Sequence, residues 1–218
     1  MSIEEIRNLN SDKEIFEVLD GKFSVYGRVL DKYDSNEILS YALKHVEIPL
    51  GGNSYTPSIK EYEDFNIIKK IRDEVFGKLD IQAGTCAGQN SSLTGFEYHQ
   101  GSEVIIAVTD CVLILGKLWD MECSEYDVNK AMFFYLKKGQ VIELYGTTLH
   151  YTPCKVNKKG YITIVVLLHG TNSVIDKSEE VLLTKKNKFF ICHKSQEEKI
   201  KQGVVSGLLG NLLDIKTL

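Results

Sequence analysis

Residues 95–116, GFEYHQGSEVIIAVTDCVLILG, decide how the rest of this 218-residue chain is read. They set Glu97, His99 and Glu103 close together, in the order Glu-x-His-x3-Glu, with an apolar run directly behind. On a strand, Glu97 and His99 are two residues apart, so their side chains leave the backbone on one face. Glu103 follows a Gln-Gly-Ser turn and starts VIIAV, where a paired strand brings its carboxylate back toward His99. An imidazole and two carboxylates converging in this way suit a divalent metal, since each offers a lone pair from a rigid support. A fourth candidate, His150, lies far along the chain in KKGQVIELYGTTLHYTPC, again a strand–turn–strand pattern.

Outward from this stretch the pattern stays β-like. IQAG, CVLILG, AMFFYL, VIELY, LHYTPC and ITIVVLLH follow at roughly regular intervals with polar turns between them, which predicts a sandwich or barrel. The N-terminal side reads differently. Apolar spacing predicts a helix over 3–20, a strand over 23–30, a helix over 37–45 and an amphipathic helix over 66–76 ended by Gly77. Between the last two, residues 48–64 read as a long loop positioned to cover a barrel mouth. The insertion 117–130, KLWDMECSEYDVNK, is acidic and expected to be solvated. Beyond His169 the sheet is expected to end, leaving a basic turn (Lys185, Lys186, Lys188), a strand-like FFICH and a terminal stretch with an apolar side.

Composition narrows the function classes. With 26 basic and 30 acidic residues the net charge is −4, which gives no electrostatic case for nucleic acid or an anionic membrane surface. No apolar run approaches the roughly 18 residues a bilayer span requires. The polar start SIEEIRNLNSDKEIF is expected to be neither a secretory signal nor a transit peptide. Five scattered cysteines without a C-x-x-C pair read as free thiols in a reducing, cytoplasmic setting.

The two histidine-bearing stretches resemble the two sequence motifs of the cupin family. The first motif of that family ends in His-x-His, three or four residues, Glu, six residues, Gly; here Glu97-x-His99, three residues, Glu103, six residues, Asp110. The second is Gly, five residues, Pro-x-Gly, two residues, His, three residues, Asn; here Gly139, five residues, Tyr145-Gly146-Thr147, two residues, His150, three residues, Cys154. The spacing holds while letters change, and the exchange of the first His for Glu97 alters either the ligand set or the catalytic equipment. The resemblance implies a mainly β fold, a cupin-type jelly-roll barrel with N-terminal helices and a short C-terminal extension. It frames 1–218 as one domain: an N-terminal extension over 1–78, the jelly-roll core over 79–175 and an extension over 176–218.

Under that resemblance a divalent ion (Zn, Mn, Fe, Ni or Co) is expected on His99, Glu103 and His150. Glu97 is a fourth ligand, a general base beside the ion, or an exposed strand residue. Tyr145 either donates a hydrogen bond to a ligand or packs in the core, Lys188 and its neighbours either clamp an anion or form a solvated turn, and His193 either closes the pocket or is structural. Beyond the motifs, LHYTPCKV and KNKFFICH resemble a bacterial cupin family with members that isomerise sulfonated or other anionic sugars, such as sulfoquinovose. This implies an aldose–ketose isomerase with a small sugar as partner, Glu97 or Glu103 carrying the proton. A non-haem iron dioxygenase and a sugar-binding module are the rival readings. A homodimer is expected from apolar faces in the N-terminal segment and over 204–215.

Overall fold

The continuous apolar runs become strands with both faces covered. The computed structural model describes residues 2–176 and 178–217; Met1 and Leu218, the ends of the expected domain, and Lys177 lie outside the described residues. The chain opens with α1 (Ile3–Leu9), β1 (Ile15–Glu17), β2 (Gly27–Val29), α2 (Asn36–His45), β3 (Asn53–Thr56), α3 (Lys60–Glu63) and α4 (Asn66–Glu74). There follow β4 (Ile81–Gly88), β5 (Gly95–Tyr98), β6 (Glu103–Ala107), β7 (Cys111–Lys117) and β8 (Tyr126–Asp127). Next come β9 (Met132–Leu136), β10 (Val141–Leu144), β11 (Thr148–Leu149), β12 (Cys154–Lys155) and β13 (Tyr161–Leu168). The last part adds β14 (Leu183–Lys185), β15 (Lys188–His193), α5 (Glu197–Lys201) and β16 (Val205–Leu209).

One sheet runs β2-β10-β6-β13-β4-β3, a second runs β1-β9-β7 with β11 and β12 on β7, and a third joins β14-β15-β16-β8 with β5 on β15. The first two face each other across a core of Phe134, Leu113 and Leu115 against Ile105, Ile142 and Val165. The outer face of the first sheet (Val104, Ile106, Ile164) is covered by α2 and α4 through Ile38, Leu39, Ile67, Ile68 and Ile71. The outer face of the second (Val112, Ile114, Phe133) meets α1 and the third sheet through Ile6, Phe96, Ile191 and Leu208. Successive residues of VIIAV and CVLIL therefore bury into different cores, which is why neither run alternates with polar residues. Each such side chain contributes about 1.5–3 kcal/mol by burial. The result is a mainly β jelly-roll barrel with N-terminal helices.

Four local expectations change. The helix predicted over 3–20 stops at Leu9, although its start is well made: Ser2 Oγ accepts from the Glu5 N–H, and Glu5 Oε2 from the Ser2 N–H. Asn10 ends it, because its buried amide donates to Ile6 O and to Lys216 O, a bond that a helical continuation cannot offer. Phe16 then lies on β1, paired in parallel with β9. The strand predicted over 23–30 is a short 3₁₀ turn, Gly21–Val25, followed by β2. The loop 48–64 contains β3, an edge strand on β4 whose four residues are all exposed and so show no alternation. The insertion 117–130 is only partly solvated, for Tyr126 and Val128 are buried in the outer core.

Candidate metal centre

Three pieces of backbone converge at one end of the barrel. β5 carries Glu97 and runs into His99; β6 begins at Glu103; His150 follows β11 and pairs with Glu97 through two backbone hydrogen bonds, Glu97 N–H to His150 O (2.7 Å) and His150 N–H to Glu97 O (3.0 Å). Gly146 permits the close approach of the second motif to the first: a Cβ there would lie 2.9 Å from Gly101 O and 3.2 Å from His99 O. The expected four residues are thus brought together. His150 Nε2 is 3.2 Å from Glu103 Oε2, His99 Nε2 is 3.7 Å from the same oxygen, and His99 Nε2 is 3.9 Å from Glu97 Oε1.

Both imidazoles are oriented by backbone carbonyls. His99 Nδ1–H donates to Asn187 O (2.7 Å) and His150 Nδ1–H to Thr148 O (2.9 Å), so each Nε2 is turned toward the centre. Asn187 sits in the β14–β15 turn with φ 56°, a left-handed conformation that asparagine tolerates. Its side chain also accepts from Gln100 N–H (2.8 Å) and donates to Thr171 Oγ1 (3.0 Å), locking that turn onto the metal motif.

Donor chemistry fits a divalent ion. Nε2 of His99 is buried without a hydrogen-bond partner, a costly state unless something else occupies its lone pair. One donor atom each from Glu97, His99 and His150 falls within a mutual 4.8 Å, and Glu103 reaches both imidazoles. Burial pushes Glu97 up, but Lys188, His99 and His150 outweigh it and hold the carboxyl below its ordinary range. Burial also pushes His99 down, more than Glu97 and Glu103 lift it. For His150 burial acts the same way, yet the Glu103 charge and hydrogen bond raise it to about 9. The difference is geometric: only His150 has a carboxylate within hydrogen-bond reach.

A cavity of about 340 Å³ opens beside this cluster, with Glu97, Glu103 and His150 in its wall. Lys185, Lys188 and Lys199 line it too, as do Asn53, Tyr55, Cys86, Tyr151 and Asn172. Lys188 forms an ion pair with Glu97. Its ammonium lies 5.6 Å from the Tyr151 ring and 5.3 Å from Phe190, and that of Lys199 lies 5.5 and 5.7 Å from the same rings. Lys199 also donates to Tyr151 OH (3.3 Å), and burial lowers its pKa. The structure places Tyr145 and His193 elsewhere. Tyr145 is half-buried, tied through its N–H to Tyr26 O. His193 is buried with Nδ1 against Ser195 Oγ (2.9 Å) and Nε2 against Gly210 O (3.2 Å). Neither lines the cavity. Lys199, Tyr151, Tyr55 and Asn187 were not singled out from sequence. Tyr151, adjoining His150, is the one with a signal.

A family model described as a domain of unknown function, DUF4867, matches residues 15–213, and the chain belongs to that family. No curated protein matches the sequence. Among solved structures, a cupin-like protein from Thermotoga maritima is 13% identical, with TM-score 0.34 over 71% of this chain and 86% of that one. The non-heme alpha ketoglutarate dependent epimerase SnoN from nogalamycin biosynthesis is 9% identical, with TM-score 0.38 over 76% of this chain and 82% of that one. EvdO2 from Micromonospora carbonacea var. aurantiaca, complexed with 2-oxoglutarate, is 12% identical, with TM-score 0.40 over 54% and 66%. Likenesses this distant bring no chemistry to this chain.

Proposed function

We propose that this member of the DUF4867 family is a divalent-metal-dependent enzyme that interconverts an aldose and a ketose through an enediol, on a sugar with a sulfonate or phosphate group. One observation carries the reading: beside a centre that could use two histidines and one carboxylate stands a second buried carboxylate, and both face a cavity walled by three lysines. A bound divalent ion supplies Lewis acidity toward two adjacent sugar oxygens. The chain's own groups supply the rest. A glutamate oxygen takes the proton from C2; the C–H electron pair forms the C1=C2 bond and the carbonyl pair moves to O1. The glutamate returns its proton to C1 while the O2–H proton passes to O1 and C2=O forms, so no external oxidant or reductant is needed. His99 and His150 hold the centre, and the lysines offer cationic partners to the anionic end of the substrate.

The test is incubation of metal-loaded protein with aldose sulfonates and phosphates in D2O, followed by NMR. Ketose carrying solvent deuterium at C1 supports the reading. That deuterium enters when the glutamate exchanges its proton with solvent before returning it; ketose without deuterium points to a hydride shift or to complete internal transfer and weakens the enediol reading, and oxygen consumption with Fe(II) in place of isomerisation supports a dioxygenase.

A further inference from the structure

We infer that Glu97 belongs to Lys188 and not to the metal: the ion's protein donors are His99, His150 and Glu103, and Glu97 is the proton carrier that Lys188 holds off the ion. This rests on the metal-and-base reading above and divides the two carboxylates between the roles. Donor atoms each about 2.1 Å from one ion stand ~3.0–3.4 Å apart. Glu103 Oε2 comes close to this with both imidazoles, at 3.2 and 3.7 Å. Glu97 approaches only by Oε1, at 3.9 Å from His99, while Oε2 is engaged by Lys188. Glu97 thus shares the candidate group with the two imidazoles, but one of its oxygens is already taken by Lys188, whereas Glu103 offers its Oε2 to both histidines.

Lys188 opposes ligation by Glu97. β15 runs antiparallel to β5 with Phe190 opposite Glu97, which fixes the lysine stem beside the carboxylate. Its side chain is 18% exposed and its ammonium sits near the faces of Tyr151 and Phe190. Drawing Glu97 onto the ion would leave that half-buried ammonium without its counter-ion, which costs free energy. A divalent ion with Glu103, and Lys188 with Glu97, sum to one net positive charge, to which Lys185 and Lys199 in the same cavity wall add, and this favours the negative charge that develops on the sugar oxygen. Glu97 lines the cavity, and its Oε1, the oxygen not paired with Lys188, is the one assigned to take the proton.

Cobalt(II) titration of the purified full chain, read by visible absorption and by competition with a chelator, tests this without any sugar. E97Q should bind within about threefold of the parent and E103Q about 100-fold or more weaker. K188M should bind about tenfold tighter, because Glu97 is then free to turn to the ion, and the double variant E97Q/K188M should lose that gain. The double variant also removes both charges together, so it reports even where E97Q alone, with Lys188 left unpaired, folds poorly. E97Q as weak as E103Q, or K188M unchanged, overturns the inference. A parent that binds no cobalt overturns the metal reading with it. Cobalt binding in this order without isomerisation of any sugar leaves the inference standing and removes the proposed reaction.

Discussion

Two glutamates withdrawn from solvent, Glu143 buried and Glu97 half-buried, each have a basic partner but are engaged differently. Glu143 on β10 accepts from Ser102 Oγ (2.7 Å) through one oxygen and from Arg28 Nε (2.6 Å) through the other. Arg28 is 54% exposed, so half of that pair is already in water. Glu97 on β5 also has a basic partner, but Lys188 is 18% exposed and only one carboxylate oxygen is engaged. The other faces His99 in a cavity wall. A carboxylate with both oxygens satisfied fastens strands together; one with an oxygen to spare, away from bulk water, is equipped for chemistry.

That contrast can be broken by experiment. The largest effect is expected from the H99A/H150A double variant, which should retain the fold by circular dichroism yet hold no metal after dialysis and show no turnover, since both neutral donors are gone. A double variant that keeps its metal would move the centre elsewhere. Next, E97Q should retain metal and lose roughly 10²–10⁴-fold in kcat, the usual worth of a general base, whereas E143Q should leave kcat within about twofold. Equal losses in the two would erase the distinction between them.

Smaller effects come from protons. In the metal-free protein His150 titrates near 9 against an ordinary 6.5. Its stabilising pairing with Glu103 is therefore complete below 6.5 and lost as pH rises through about 9, so metal-free thermal stability should fall across that window. Metal affinity should move the other way, rising up to about tenfold per pH unit until near 9, because the ion must displace that proton. Affinity flat over the same range would remove His150 from the donor set. The smallest change belongs to R28A, at most about 1 kcal/mol by urea unfolding, since an ion pair half in solvent contributes little.

The strands and the four convergent residues could be read in the sequence because they obey local rules: two-residue spacing on β5, a turn before β6, and apolar runs long enough to be buried on both faces. Other features depend on contacts that local patterns do not encode. Ile3, Ile6, Phe16 and Leu19 fall at helical spacing, but Asn10 breaks the helix with a bond to Lys216, 206 residues away. β3 is hidden because an edge strand with every residue exposed carries no hydrophobic period. Lys199 stands on a five-residue helix with no buried face and reaches the cavity only because β15 and β16 pair in parallel around it. Tyr145 and His193 lie outside the cavity wall, and both ring nitrogens of His193 are engaged by Ser195 and Gly210.

The carbonyl that sets the tautomer of His99 comes from Asn187, 88 residues later in the chain. A nascent polypeptide therefore exposes every donor of the centre well before it exposes the turn that aligns one of them. Until β15 has left the ribosome and docked on β5, His99 lacks its orienting bond and Glu97 lacks Lys188. On the metal reading, a chain truncated before β15 is therefore expected to hold an ion more weakly than the whole chain, although it carries every proposed donor.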